Sequence, residues 1–289
     1  MRRAMRRFVS KLTGKNKYIF FTVLVLICVV ALSLGIYVQF FYKYSDTDPL
    51  MIGINIGAKK TAEEYDLLRS NFHELFQNEL KVNSEEIRVE KLENEKDVVY
   101  TAYNLVNEDE TYYNVDAQIP IINIDTETIE KVNAEIKDEY YNKANSIMRK
   151  TEGNAVYKVS YVAYVNADIL SIAIQASLKE EGKSEKVSIK TYTYSISREE
   201  LISLEDLINL KQTTVESVQN NINDEIKTAY ENAKIIAAEY GALYERDLNN
   251  PIYQVENTKE YFLTDDGYVY ILYPYGNEAD TNEMDIVIF

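Results

Sequence analysis

Asp168-Ile-Leu-Ser-Ile-Ala-Ile-Gln-Ala-Ser-Leu178 carries the decisive pattern. Successive side chains of a strand point to opposite faces. Leu170, Ile172, Ile174, Ala176 and Leu178 therefore share one face, while Ser171, Gln175 and Ser177 share the other. One buried and one wet face is what an antiparallel sheet allows. Similar stretches flank it near 155–165 and 186–196, with reversals at Asn166-Ala167 and in the polar, Gly182-containing loop 179–185.

Upstream, period-two patterns at Ile87–Leu92, Val98–Val106 and Tyr112–Ile122 predict further strands, with Asn107–Glu110 as a hairpin connection. Pro120 lacks a backbone donor, so it ends its strand or places it at an edge. Ile129, Val132, Ile136, Tyr140, Ala144 and Ile147 predict a helix over 126–148. Downstream, a short helix near Ser203–Leu210 precedes a long one marked by Val215, Val218, Ile222, Ile226, Ala229, Ala233, Ile236 and Tyr240. Asp266-Gly267 predicts a two-residue hairpin turn, and Asp285–Phe289 a closing strand. Strand groups joined by hairpins rather than crossovers predict an α+β fold: an antiparallel sheet with helices on one face.

The N-terminal part reads differently. Tyr18–Tyr42 is 25 residues without a charge, preceded by seven Lys or Arg and no acid. At about 1.5 Å per residue such a helix crosses a hydrocarbon core of about 30 Å, and it is too long for the apolar core of a cleaved signal peptide. The positive-inside rule leaves residues 43–289 outside the cytoplasm. The expected organisation is a cytoplasmic tail over 1–17, a transmembrane helix over 18–42, a linker with an amphipathic helix over 43–97, and an exterior α+β domain over 98–289. Thr61 with Glu64 forms a capping-box signature, and Tyr65, Leu68, Phe72, Leu75, Phe76 and Leu80 extend a helix across 61–80. That stripe is expected to pack on the folded domain.

The chain has 31 Lys and Arg against 47 Asp and Glu. Without the seven N-terminal cations, residues 43–289 carry a formal charge of −23, which excludes nucleic acid as a partner and suits a cationic one. Cys28 lies in the apolar run, so no disulfide staples the exterior part. An acidic, Lys- and Asn-rich composition with few Pro and Gly suits the envelope of a Gram-positive bacterium.

Chemistry-bearing patterns are sparse. His73 is the single histidine, and GxGxxG, P-loop and HExxH motifs are absent. The reading is a non-enzymatic binding module without cofactor or metal. Acidic neighbours such as Glu199-Glu200, Glu205-Asp206 and Asp265-Asp266 arise readily among 47 acids, and a loop with Asp280, Glu283 and Asp285 lacks EF-hand spacing. The unusual enrichment is tyrosine, 25 residues with no tryptophan. Tyr192, Tyr194, Tyr273 and Tyr275, on or beside predicted strands, are the candidate ligand-binding residues, because Tyr rings combine contact area with a polar tip.

Three groups of segments carry a family resemblance: Tyr113-Asn-Val-Asp-Ala-Gln-Ile-Pro-Ile-Ile122 leading into Val132-Asn133; Tyr192-Thr-Tyr-Ser-Ile-Ser197 with Leu204-Glu-Asp-Leu-Ile208; and Phe262-Leu-Thr-Asp-Asp-Gly267 with Tyr273-Pro-Tyr275 and Ile286-Val-Ile-Phe289. Over residues 98–289 the chain resembles accessory domains of a bacterial peptidoglycan deacetylase and the exterior module of lysozyme-sensing anti-sigma factors. Glu180–Lys186 stands where such modules often carry a His-containing loop, and a seventeen-residue tail is too short for a sigma-binding domain. The resemblance implies a shared exterior scaffold, not a shared activity; the anchor, the acidic Tyr-rich surface and the missing catalytic sets point to a module that binds a protein or cell-wall ligand. The alternatives are a wall-modifying hydrolase using acidic residues and a structural subunit of a membrane complex.

Overall fold

The computed structural model describes residues 53–82, 89–240, 246–274 and 284–289. The tail over 1–17, the transmembrane helix over 18–42 and part of the linker lie outside the described residues. Among those described, no helix is long and apolar enough to cross a membrane. Pro49–Phe289 forms one compact unit.

The expected strands 155–165, 168–178 and 186–196 are β4 (Ala155–Asn166), β5 (Ile169–Glu180) and β6 (Lys186–Ser195), an antiparallel meander. Its first reversal is tight: Asn166 pairs with Ile169, and Ala167 takes the left-handed conformation at φ 54°. Around the meander run β1 (Glu79–Val82), β2 (Val99–Asp109), β3 (Tyr113–Ile122) and β7 (Glu200–Leu201), completing a seven-stranded sheet. This sheet is mixed. Both β3 and β1 lie parallel to β4, sharing its edge: β3 pairs at Ala155–Val159 and β1 at Val162–Val165. The hairpin-only expectation is corrected here, because β3 reaches β4 through a helical crossover. Pro120 sits where β3 has parted from β4, opposite a register shift in β2, so its missing donor interrupts no ladder.

That crossover runs through the helical segments between Glu127 and Ile147. Helix α1 spans Ala62–Ser70, α2 Glu127–Ile136, α3 Asn142–Ile147, α4 Leu204–Leu210 and α5 Val215–Tyr240. A π-turn, Lys137–Tyr141, joins α2 to α3. Asn133 on α2 docks the crossover onto the end of β3, its amide bonding both the N–H and the C=O of Ile122 at 2.9 and 2.8 Å. Ile129, Val132, Ile136, Tyr140 and Ala144 then cover the face of β5 built from Leu170, Ile172 and Ile174.

The opposite face is not wet. A second, three-stranded sheet of β8 (Glu260–Leu263), β9 (Val269–Pro274) and β10 (Met284–Ile288) packs against it. Phe262, Tyr270 and Leu272 meet Val162, Tyr164 and Ala173, with Phe262 stacked between Tyr164 and Tyr270. On its far side, Val269, Ile271 and Val287 are covered by α4 and α5. The architecture is therefore helix, sheet, sheet, helix, with helices on both outer sides; the expectation of helices on one face is corrected accordingly. Ser171 is fully buried and its hydroxyl accepts from Leu263 N–H, while Thr193 donates to the Tyr261 carbonyl. Hydroxyls that read as a solvated face instead bond the two sheets together.

The amphipathic helix also ends early. Helix α1 stops at Ser70, a 3-10 turn spans Phe72–Leu75, and Asn78 at φ 58° turns the chain into β1, so Leu80 belongs to a strand. Phe72 and Phe76 plug the space between the sheets, as expected of that apolar stripe. Residues 62–82 are thus integral to the unit rather than a linker before a domain starting at 98. Residues 89–92 form no strand. The loop 264–268 is a three-residue hairpin connection closed by Thr264 N–H to Tyr268 C=O, with Gly267 at φ 91°. A Cβ on Gly267 would collide with the Gly57 nitrogen. Residues 53–60 are held there by Asn166, which bonds the backbone of Asn55 in both directions and the Thr264 carbonyl, by Tyr268 Oη on the Ala58 carbonyl, and by Lys211 Nζ on the carbonyls of Ile56 and Gly267.

Candidate functional site

The large sheet is closed at one end of β6 and open at the other. Only Tyr194 and Ser195 pair with β7. The Thr193 carbonyl accepts from Ile202, and the Thr191 N–H donates to Glu260 Oε2 at 2.7 Å. Alternation along β6 then places the main-chain groups of Val187 and Ile189 on the same outward edge. Among the described residues they have no hydrogen-bond partner. Glu260, which also accepts from the Thr191 hydroxyl at 3.0 Å, marks where the open edge begins.

A hollow lies on each side of this edge. On the face toward the second sheet, about 270 Å³ is lined by Val187, Ile189, Ile252, Leu272, Tyr273 and Met284, with Lys259 and Glu260 at its polar margin. On the helical face, another hollow of about 270 Å³ is lined by Glu139, Tyr140, Lys143, Tyr157, Lys186 and Ser188. Val187 and Ser188 border both.

The polar hollow is placed by the π-turn. Apolar residues at 132, 136, 140 and 144 step by four, and each step overshoots a 3.6-residue turn by about 40°. One extra residue in the turn returns Tyr140 to the sheet-facing side, where it is 1% exposed. Its hydroxyl is buried without a hydrogen-bond partner among the described residues. Burial holds the Tyr140 and Tyr157 hydroxyls well above the ordinary tyrosine range, so both stay protonated. Partial desolvation raises the Glu139 carboxyl; Lys190 opposes this, while Glu260 and Glu135 add to it. Lys190 itself lies 3.7 Å from Glu260.

Of the tyrosines singled out by sequence, three are buried. Tyr192 is 6% exposed and its hydroxyl donates to Glu135 Oε2 at 3.3 Å. Tyr194 is buried with its hydroxyl 3.1 Å from Thr126 Oγ1. Tyr273 is buried, its hydroxyl 2.8 Å from Thr258 Oγ1 and pushed up to about 12 by burial. Tyr275 lies outside the described residues. Tyr192 and Tyr194 are core residues beneath the helical layer, and of the three described candidates Tyr273 borders a hollow. Sequence reasoning missed Tyr140, Tyr157 and the open edge. The three successive four-residue steps were the available signal for the π-turn. His73 is exposed, with Nδ1 3.4 Å from Gln175 Oε1, and Asp285 is engaged by Arg246 through two 2.8 Å bonds.

No family model and no curated protein matches the chain. Two solved structures are similar in part of their backbone. One is a DUF3298 family protein from Pseudomonas aeruginosa PAO1, at 13% identity over 58% of this chain and 76% of that one, with a TM-score of 0.35. The other is a DUF3298 family member from Bacteroides fragilis NCTC 9343, at 9% identity over 61% and 81%, with a TM-score of 0.32. Neither connects the chain to deacetylases or anti-sigma factors, and at these scores nothing about activity follows from them.

Proposed function

We propose that the chain is a single-pass envelope protein of a Gram-positive bacterium whose Pro49–Phe289 unit, outside the cytoplasm, is a non-enzymatic module binding a protein or cell-wall ligand. The observation that carries this reading is the cleft at the open end of β6, where hollows of different chemistry flank main chain that is unpaired among the described residues. Seven cations before a 25-residue uncharged run support the anchor and its orientation. The resemblance to exterior modules of lysozyme-sensing anti-sigma factors favours a cationic protein ligand, which the formal −23 of residues 43–289 would steer electrostatically.

The test is binding of the full chain, in lipid nanodiscs, to a cationic lysozyme and to peptidoglycan fragments across a salt series. Saturable binding at about 0.15 M salt, where charges are screened over about 8 Å, and at least tenfold weaker in Ser188→Trp, is the expected result. Binding that disappears at that salt, or ignores the substitution, overturns the proposal. One observation favours a structural subunit instead: Ile235 and Ile236 near the end of α5 are 71% and 59% exposed. Loss of assembly with an envelope complex on Ile235→Ser and Ile236→Ser substitution would select that reading.

A further inference from the structure

The geometry points to strand addition: the open edge of β6 binds an extended polypeptide, antiparallel, that places apolar side chains in one hollow and a carboxylate side chain in the other. This deepens the binding-module reading and rests on it. The argument begins with the main chain. Val187 and Ile189 present two N–H and two C=O groups along an edge that β7 and Glu260 leave uncovered. Such a row is a template for another strand. β6 pairs antiparallel with both β5 and β7, so its twist and spacing already suit an antiparallel neighbour.

The hollows specify what that strand carries. In an added antiparallel strand, a residue opposite Val187 or Ile189 shares their face, and the residue between them, opposite Ser188, points to the other. The first two then meet the apolar hollow with Ile252, Leu272 and Met284. The middle one meets the hollow bordered by Tyr140, Tyr157, Lys143 and Lys186. Two ammonium groups border this space, and Tyr140 brings a buried hydroxyl without an acceptor among the described residues, against the carboxyl of Glu139. A carboxylate offers about four lone-pair sites to such donors. Each volume, about 270 Å³, is near the lower end of small-molecule sites at about 300 Å³ and accepts one side chain rather than a large ligand.

The probe is acetyl-Thr-Val-Glu-Val-Thr-amide, titrated into the full chain in nanodiscs by isothermal calorimetry. In the proposed register the two valine N–H groups face β6 and the glutamate N–H faces away. Methylating both valine nitrogens is expected to weaken binding at least tenfold, methylating the glutamate nitrogen less than threefold, and replacing Glu by Lys at least tenfold. Val187→Pro removes an outward N–H that takes no part in the β5 ladder, and is expected to lose at least tenfold in affinity. Should that variant fail to fold, the methylated peptides decide alone. Absence of saturable binding up to millimolar peptide, or equal loss from both methylation patterns, overturns the inference and leaves a lysine-guarded edge that recruits nothing. If lysozyme or peptidoglycan still binds while the peptide does not, strand addition falls and the binding-module reading stands.

Discussion

Replacing Tyr140 by Phe is expected to stabilise the protein, against the usual direction of core substitutions. Tyr140 is 1% exposed, and its hydroxyl has no hydrogen-bond partner among the described residues. Burying an unsatisfied hydroxyl costs about 1–3 kcal/mol, whereas the ring contacts that Phe retains dominate the packing. Allowing for the contacts that the missing oxygen itself made, the net gain is about 1 kcal/mol. In a unit of this size that raises Tm by about 2–4 °C. Two buried tyrosines serve as internal standards. Tyr161 Oη lies 3.0 Å from Thr101 Oγ1 and Tyr194 Oη 3.1 Å from Thr126 Oγ1. Their Phe variants lose a satisfied bond and are expected to fall by about 0.5–1.5 kcal/mol. Thermal unfolding of the three full-length variants in detergent micelles, followed by circular dichroism, reads all three signs at once. If Tyr140→Phe drops Tm as far as the other two, the hydroxyl is satisfied in solution and the account of the polar hollow given above is wrong.

Three other outcomes follow from the packing and the charges. Phe72→Ala, at a fully buried ring contacting Phe76, Phe262 and Tyr270, should cost about 3–5 kcal/mol in urea unfolding; a loss under 1 kcal/mol would mean that the space between the sheets collapses freely. Arg246→Met leaves the Asp285 carboxylate buried without its bidentate partner and should destabilise by about 3–5 kcal/mol at pH 7, with Arg246→Met/Asp285→Leu recovering most of it; no recovery would refute the pairing. Burial lowers Lys211 to about 8 from its ordinary 10.5, so between those values the unfolded chain binds more protons than the folded one. Stability should therefore rise with pH across that window, and Lys211→Met should flatten the rise; an unchanged pH profile would show that the ammonium is solvated.

The meander and the long helices were legible because their side-chain period is local: β4, β5 and β6 fall on the expected stretches, and α5 follows its apolar positions from Val215 to Tyr240. The second sheet's docking was not legible, since Ser171, Thr191 and Thr193 look solvent-facing until their bonds to β8 are known. A clue remained in the absence of charge at those positions. The crossover from β3 to β4 escaped because hairpins and parallel pairs leave the same alternation in each strand. For the site, enrichment drew attention to tyrosines, but burial decides their availability. Tyr192 and Tyr194 are in the core, while the open edge is a property of pairing that no single strand records.

The division of β4's edge between β3 and β1 also sets an order of assembly. Glu79 pairs with Val162, and Phe72 shares a cluster with Tyr270 and Ile288, so the early residues find their partners only after most of the chain has been made. Local pairing can build β4, β5 and β6 first, whereas joining strands so distant in sequence carries a larger loop-closure entropy. During synthesis from the N-terminus, residues 62–82 emerge before these partners and dock late, leaving Phe72 and Phe76 exposed in the interval. A chaperone acting on this protein would find its natural target in that waiting segment.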